Sequence, residues 1–165
     1  MDGQLALLLA LIDEAYDKRS WHGTNLRGSI RGIGLDEASW RPGQGRHNIW
    51  ENVVHAAYWK YAVRRRILQE KRSTFALRGS NWFLRPEEST ENAWKADVEL
   101  LRNEHLVLRA AVADLHPRDL RKAAAGATGP TVGFLLRGIA AHDLYHAGQI
   151  QLLKRLRNSG FTSGI

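Results

Sequence analysis

Apolar residues recur at three- and four-residue steps along four long stretches of this chain, and that rhythm predicts four long helices. The first covers residues 3–17, with Leu5, Leu8, Leu9, Ile12 and Tyr16 forming an inward stripe. Residues 20–33 read as a short break at Trp21-His22-Gly23-Thr24 followed by a helical piece through Leu26 and Ile30. Residues 32–45 hold four glycines and Pro42, so they read as a loop with a turn at 35–40. Asn48 can cap the next helix while Glu51 reaches back in a capping box; its stripe of Val53, Val54, Ala57, Tyr58, Tyr61, Ala62 and Ile67 fades near Glu70. After a loop at 72–88, Ser89 or Thr90 caps a third long helix reaching about Leu115, with Trp94, Val98, Leu101, Leu108 and Val112 facing inward. Pro117 ends it, and the last helix runs from Thr131 to about Asn158, with Gly160 placed as a C-terminal cap. No strand alternation, repeat or low-complexity tract competes with this pattern. It predicts an all-α four-helix bundle, with residues 1–165 as a single domain.

The last helix breaks the hydrophobic rule at its centre. Val132, Leu135 and Ile139, then Leu153 and Leu156, set an apolar rhythm that lands on His142, His146 and Gln149 in between. Two imidazoles one turn apart have Cβ atoms roughly 5–6 Å apart, close enough for both to reach one ion. Each is equally readable as a core histidine satisfied by its own hydrogen bond. A third ligand from elsewhere decides between these readings. Among the five remaining histidines, His55 stands amid Val53, Val54, Ala56 and Ala57 on the second long helix and is expected to be buried. Facing residues of different helices meet at one depth in a bundle, which makes His55 the natural partner of His142 and His146. His47, about 12 Å further along the axis if helical, cannot share that ion but could line the mouth of the cleft. His105, among Arg102, Asn103 and Glu104, is expected on the surface, and His116 as a turn residue before Pro117. His22 reads either as part of the bundle mouth or as part of a helix break.

Composition narrows the chemistry. The 165 residues contain no cysteine, which excludes disulfides, thiolate metal sites and a cysteine nucleophile, and fits a reducing compartment. Residues 5–12 are too short for a membrane span and follow Asp2 without a basic region, so they read as a core helix of a cytoplasmic protein. The net charge of +7 raises a nucleic-acid hypothesis. Its densest cluster is Lys60, Arg64, Arg65, Arg66, Lys71 and Arg72, with Lys154, Arg155 and Arg157 at the far end. Arginine near helix C-termini is favourable in any protein, and no nucleic-acid-binding motif accompanies the charge. A solvated helix face is the expectation, and nucleic acid is not the expected partner.

The segment Val54-His55-Ala56-Ala57-Tyr58-Trp59, together with His142-Asp143-Leu144-Tyr145-His146-Ala147-Gly148-Gln149-Ile150, closely resembles the DinB-like (DinB/YfiT) metalloenzymes, and the order of elements matches along essentially the whole chain. The resemblance implies a four-helix bundle binding a divalent metal, often nickel or zinc, through His55, His142 and His146. It also implies a homodimer, and an activity on small molecules that in some relatives transfers thiol groups or uses a low-molecular-weight thiol.

Three neutral imidazoles leave the charge of a divalent cation uncompensated and at least one coordination position open, as in catalytic rather than structural sites. Such an ion can activate water, giving hydrolase-like chemistry, or an incoming thiol, giving thiol (S-)transferase-like chemistry. With no cysteine in the chain, the thiol would come from a cosubstrate. The other reading is a stress-associated bundle that binds metal or a small ligand without turnover. Each ligating imidazole should donate its other N–H to an acceptor, and Gln149 is a candidate for that role, for substrate contact or for simple packing. Glu51 is explained by its cap, with general base as the alternative. Asp143 projects about 100° from His142 and is expected to pair with an arginine. Trp50 and Trp59 are candidate walls of a cleft around His55, and Trp82-Phe83-Leu84 could cover it or an interface between subunits.

Overall fold

Helix ends fall where the capping chemistry puts them. In the computed structural model, which describes residues 3–70, 75–124, 126 and 128–160, the long helices are α1 (Gly3–Tyr16), α4 (Ile49–Ile67), α5 (Glu91–Ala113) and α6 (Val132–Asn158). Two short helices, α2 (Leu26–Ser29) and α3 (Leu35–Ser39), lie between α1 and α4, and a 3₁₀ turn covers Pro117–Arg121. Asn48 accepts from the Glu51 amide at 2.8 Å while the Glu51 carboxylate reaches back to the Asn48 amide, so the expected capping box is present. Thr90 and Thr131 cap α5 and α6 in the same way through their hydroxyls. Gly160, with φ of +69°, follows α6 in the left-handed conformation a glycine adopts freely. Among the described residues there is no strand, only an isolated bridge between Ala123 and Thr131. The start of the expected 72–88 loop, together with Lys71 and Arg72 of the basic cluster, lies outside the described residues.

Two apolar clusters divide the interior. One gathers Leu26, Trp50, Val53, Val54, Trp94 and Leu101 with Ala147 and Ile150; the other gathers Leu5, Leu9 and Ile12 with Val63, Ile67, Leu108, Val112 and Leu136. It follows that α1 and α6 run from the second cluster toward the first, while α4 and α5 run the opposite way. α4 is the central element: residues 49–57 are buried on every side, the polar Glu51, Asn52 and His55 included. α2 and α3 close the end of the bundle where α4 begins, through Leu26, Ile30 and Ala38.

A polar layer separates the clusters, and it overturns three expectations. Lys60 is fully buried rather than part of a solvated basic face, and its ammonium bonds the Asp143 carboxylate, itself 1% exposed. Asp143 therefore pairs with a lysine, not an arginine. His105 is 2% exposed rather than on the surface, stacked on Tyr16 with ring centroids 3.7 Å apart. The reason is phase: Leu101, His105, Leu108 and Val112 share one helical stripe, so polar neighbours in sequence do not bring His105 outside. Burial outweighs the remaining influences on Tyr16, raising its hydroxyl above the ordinary range, and lowers His105 to about 3, with Lys60 and Arg109 adding to the effect.

The Lys60–Asp143 pair joins α4 to α6, with Asp143 next to His142 in the chain. Removing one partner leaves a bare charge in the interior, so Lys60→Met should destabilise the fold by about 3–5 kcal/mol. Lys60→Met combined with Asp143→Leu should recover most of that loss. Denaturant unfolding of the two variants checks this, and equal destabilisation by both would show that the ion pair is not the source.

Candidate metal centre

His55 projects from the middle of α4, and His142 and His146 lie one turn apart on α6, antiparallel to it. The Nε2 atom of His142 is 3.1 Å from Nε2 of His55 and 3.1 Å from Nε2 of His146. Ligand atoms of all three residues lie within 4.8 Å of one another. Asn52 bonds His146 within the bundle, and His55 and His146 are 6% and 2% exposed. The buried seam of α6 runs through Leu136, Ile139, Asp143, His146 and Ile150. His146 is thus on the seam as expected, whereas His142 and Gln149 sit at its edge, half-buried.

Hydrogen bonds settle which nitrogens carry protons on two of the rings. His55 Nδ1 is 2.8 Å from the carbonyl oxygen of Asn81, which can only accept, so Nδ1–H donates. His146 Nδ1 is 2.8 Å from Asn52 Oδ1. The Asn52 amide nitrogen donates to the Asn48 carbonyl at 2.7 Å, which fixes the oxygen toward His146 and makes that Nδ1 a donor too. Both Nε2 atoms therefore present lone pairs toward His142 Nε2, where a single N–H could serve only one of them. A cation serves all three. Two nitrogens 2.0–2.1 Å from a tetrahedral ion stand about 3.3–3.4 Å apart, so the observed spacings need to open only slightly. The donor set fits a divalent metal. His142 Nδ1 is buried without a partner among the described residues, whereas the other two rings are each oriented by an outer hydrogen bond.

Burial is the main cause of low basicity here. It lowers His142 to about 4 and His146 to about 3, with the neighbouring imidazoles adding, and it lowers His55 against the opposing effect of the Asn81 bond. The rings are neutral at pH 7, the form a metal ligand requires.

The chain segment between α4 and α5 completes the centre. The Trp82 indole stacks on His55 with centroids 3.8 Å apart, and His47 stacks on the other face of Trp82 at 3.6 Å. His47 is thereby part of the wall, separated from the cluster by the indole. Asn81 adopts φ of +64°, and its side-chain oxygen accepts from the Trp59 indole at 3.0 Å. Phe83, 5% exposed, packs on Tyr58 and Phe75, and Arg85 bonds Asp97 at 2.8 Å and, through its amide, Glu51 at 3.2 Å. These anchors hold Asn81 and Trp82 against His55. Glu51 is occupied by its cap, by a two-bond pairing with Arg41 (2.8 and 2.5 Å) and by His47 at 3.0 Å. Burial alone would raise its carboxyl, but these bonds outweigh it and hold the group below the ordinary range. A carboxylate engaged in this way is a structural anchor rather than a base.

The tryptophans divide. Trp59 lies beside the cluster, 6.2 Å from His142 between ring centroids, whereas Trp50 is a core residue whose indole donates to Asp97 at 2.6 Å. Trp21 and His22 are exposed, and His116 caps the 3₁₀ turn. Gln149 donates to the Tyr145 hydroxyl at 3.1 Å. Asn52 and Asn81 stand outside the candidates that the sequence offers. Asn52, one turn before His55 on an apolar helix, carried a readable signal; Asn81, acting through its backbone carbonyl, carried none.

Fold and site define a helical protein with a buried cluster of three histidines able to hold a metal ion. A family model for the DinB superfamily matches residues 18–150, and the chain belongs to that family. The matched region contains all three histidines as well as Asn52 and Asn81. No curated protein and no solved structure matches the chain.

Neutral buried imidazoles make stability depend on acid in a stated direction. Below about pH 6.5 the unfolded chain binds protons that His105, His142 and His146 refuse when folded, so stability falls with pH. The loss should extend from there down to the folded values of about 3 to about 4. Denaturant midpoints of chelator-treated protein between pH 7 and 4 test this; a flat profile would contradict it.

Proposed function

We propose that this protein is a metal-dependent enzyme of the hydrolase or thiol (S-)transferase type, with His55, His142 and His146 as ligands of one divalent ion. The observation that carries the reading is the convergence of Nε2 atoms from two antiparallel helices, with outer protons committed to Asn81 and Asn52. An ion held there supplies Lewis acidity, and three neutral donors leave its charge and part of its coordination sphere available to a substrate. Nickel and zinc are the ions the family resemblance favours, and zinc suits imidazole donors. The chain's own contribution is orientation and exclusion of water: Trp82 covers His55, Trp59 flanks His142, and the two asparagines lock ring rotation. A thiol reaction would take a low-molecular-weight thiol as cosubstrate, because the chain has no cysteine.

The reading takes residues 1–165 as one domain, working in the cytoplasm as a homodimer. The outward face of α6 supports pairing. Ala141, Tyr145, Gly148 and Leu152 are all exposed and follow one another at three- and four-residue steps. Tyr145 and Leu152 are 63% and 57% exposed, and a side-chain carbon added at Gly148 would meet nothing within 4 Å. Apolar and small residues in that register suit a second helix. Leu152→Glu should convert a dimer to a monomer by sedimentation without lowering the thermal midpoint; a monomeric parent protein would remove the homodimer.

Untagged protein should retain close to one divalent ion per chain. His146→Ala should lose it, and Asn52→Leu should weaken metal affinity by about 10–100-fold while keeping all three ligands. Elemental analysis and competition with a chelator read both. Metal content that is low in the parent and unchanged by His146→Ala would sink the proposal. The alternative is a stress-associated bundle that binds metal or a small ligand without turnover. Fully metallated protein inert toward a panel of esters and thiol conjugates would favour it.

A further inference from the structure

The groove between α4 and α6 opens a slot beside the histidine cluster, and nothing in the metal reading uses it. Its volume is about 130 Å³, and its walls include Trp59, Phe134, Gly138 and Ile139, with Arg66 and His142 as its polar members. Phe134 is an aromatic ring left 59% exposed. The Arg66 guanidinium lies over the Trp59 ring, 5.6 Å from its centroid, and the described residues offer it no carboxylate. Trp59 therefore has a cation over its ring and the His55 and His142 imidazoles in edge contact, 6.3 and 6.2 Å from its centroid.

We propose that this slot is the substrate-recognition site, and that it takes a small carboxylate with a ring-sized apolar body. The volume is close to the roughly 150 Å³ of an apolar cavity that accepts benzene. Carbon-lined walls favour an apolar group, and a half-buried guanidinium that no carboxylate among the described residues meets favours a carboxylate, which it can bind through two parallel N–H bonds. His142, shared by slot and cluster, turns the reacting end of the bound molecule toward the ligand nitrogens. This last step rests on the metal reading; the binding of an apolar carboxylate does not. The occupant is a small anion rather than a neutral lipid or a second copy of this chain because of Arg66: the pairing stripe on α6 supplies no acid to meet it.

Gly138 allows a direct test. A side-chain carbon built there meets nothing within 4 Å, so the Gly138→Leu side chain starts into open space at the slot and replaces glycine within a helix. Calorimetric titration of the full chain with phenylacetate, and with 2-phenylethanol as its neutral counterpart, is run on chelator-treated and zinc-loaded protein. The parent should bind phenylacetate more tightly in both states. Arg66→Gln should weaken phenylacetate by about tenfold and leave 2-phenylethanol unchanged. Gly138→Leu should abolish binding of both while metal content holds and the thermal midpoint does not fall. Absence of phenylacetate binding to the parent, an unchanged preference in Arg66→Gln, or undiminished binding in Gly138→Leu would each overturn the proposal. A change of sedimentation mass in Gly138→Leu would overturn it too, by showing a second chain in the slot. Binding that persists in a chain unable to retain metal would retire the metal reading and leave the slot standing.

Discussion

Two hydrogen bonds decide what the centre of this protein can be. With Asn81 and Asn52 accepting from the Nδ1 atoms of His55 and His146, both rings are committed to the tautomer whose Nε2 is a bare lone pair. Those lone pairs converge on the Nε2 of His142, at 3.1 Å from each side. Without the asparagines the rings could rotate or exchange tautomers, and the cluster would be an ordinary set of core histidines satisfying one another. Burial then keeps the rings neutral, so electrostatics and hydrogen bonding work in the same direction.

The rest of the architecture serves to hold those acceptors still. Asn52 is one turn from His55 on the most buried part of α4, where its own amide is tied to the helix N-cap. Asn81 lies on an irregular segment, which needs more support. Phe83 and Arg85 supply it, the first by packing against Tyr58 and Phe75, the second through Asp97 and Glu51. The Glu51 carboxylate joins the α4 cap, Arg41 and the Arg85 amide, so the residues framing the site are braced to α4 itself. Lys60 and Asp143 fix the α4–α6 register beside the histidines. Apolar contact alone tolerates sliding between helices; a buried ion pair does not, because an offset would leave charges unpaired.

Helical periodicity and caps were legible along the chain because they depend on neighbours three and four residues apart. Asn48 with Glu51, Thr90, Thr131 and Gly160 mark their helix ends in sequence as they do in three dimensions. His142 and His146 were legible for the same reason, and His55 followed from its apolar surroundings and from the family resemblance. Helical phase is harder to read from sequence than helical existence. Lys60 reads as part of a solvated basic cluster and His105 as a surface residue among polar neighbours, yet each lies on the stripe its helix turns inward.

Tertiary structure alone decided the partners. That Lys60 meets Asp143, that Trp82 lies between His47 and His55, and that a backbone carbonyl at position 81 fixes a ring at position 55 are contacts between distant segments. No local rule encodes them, since a carbonyl is present at every position and a stacked ring leaves no periodic trace. The sequence by itself determined which helices form, where they end and which imidazoles could share an ion. Packing determined which protons those imidazoles keep, because a tautomer depends on what lies opposite the ring, and only the folded chain brings that acceptor into place.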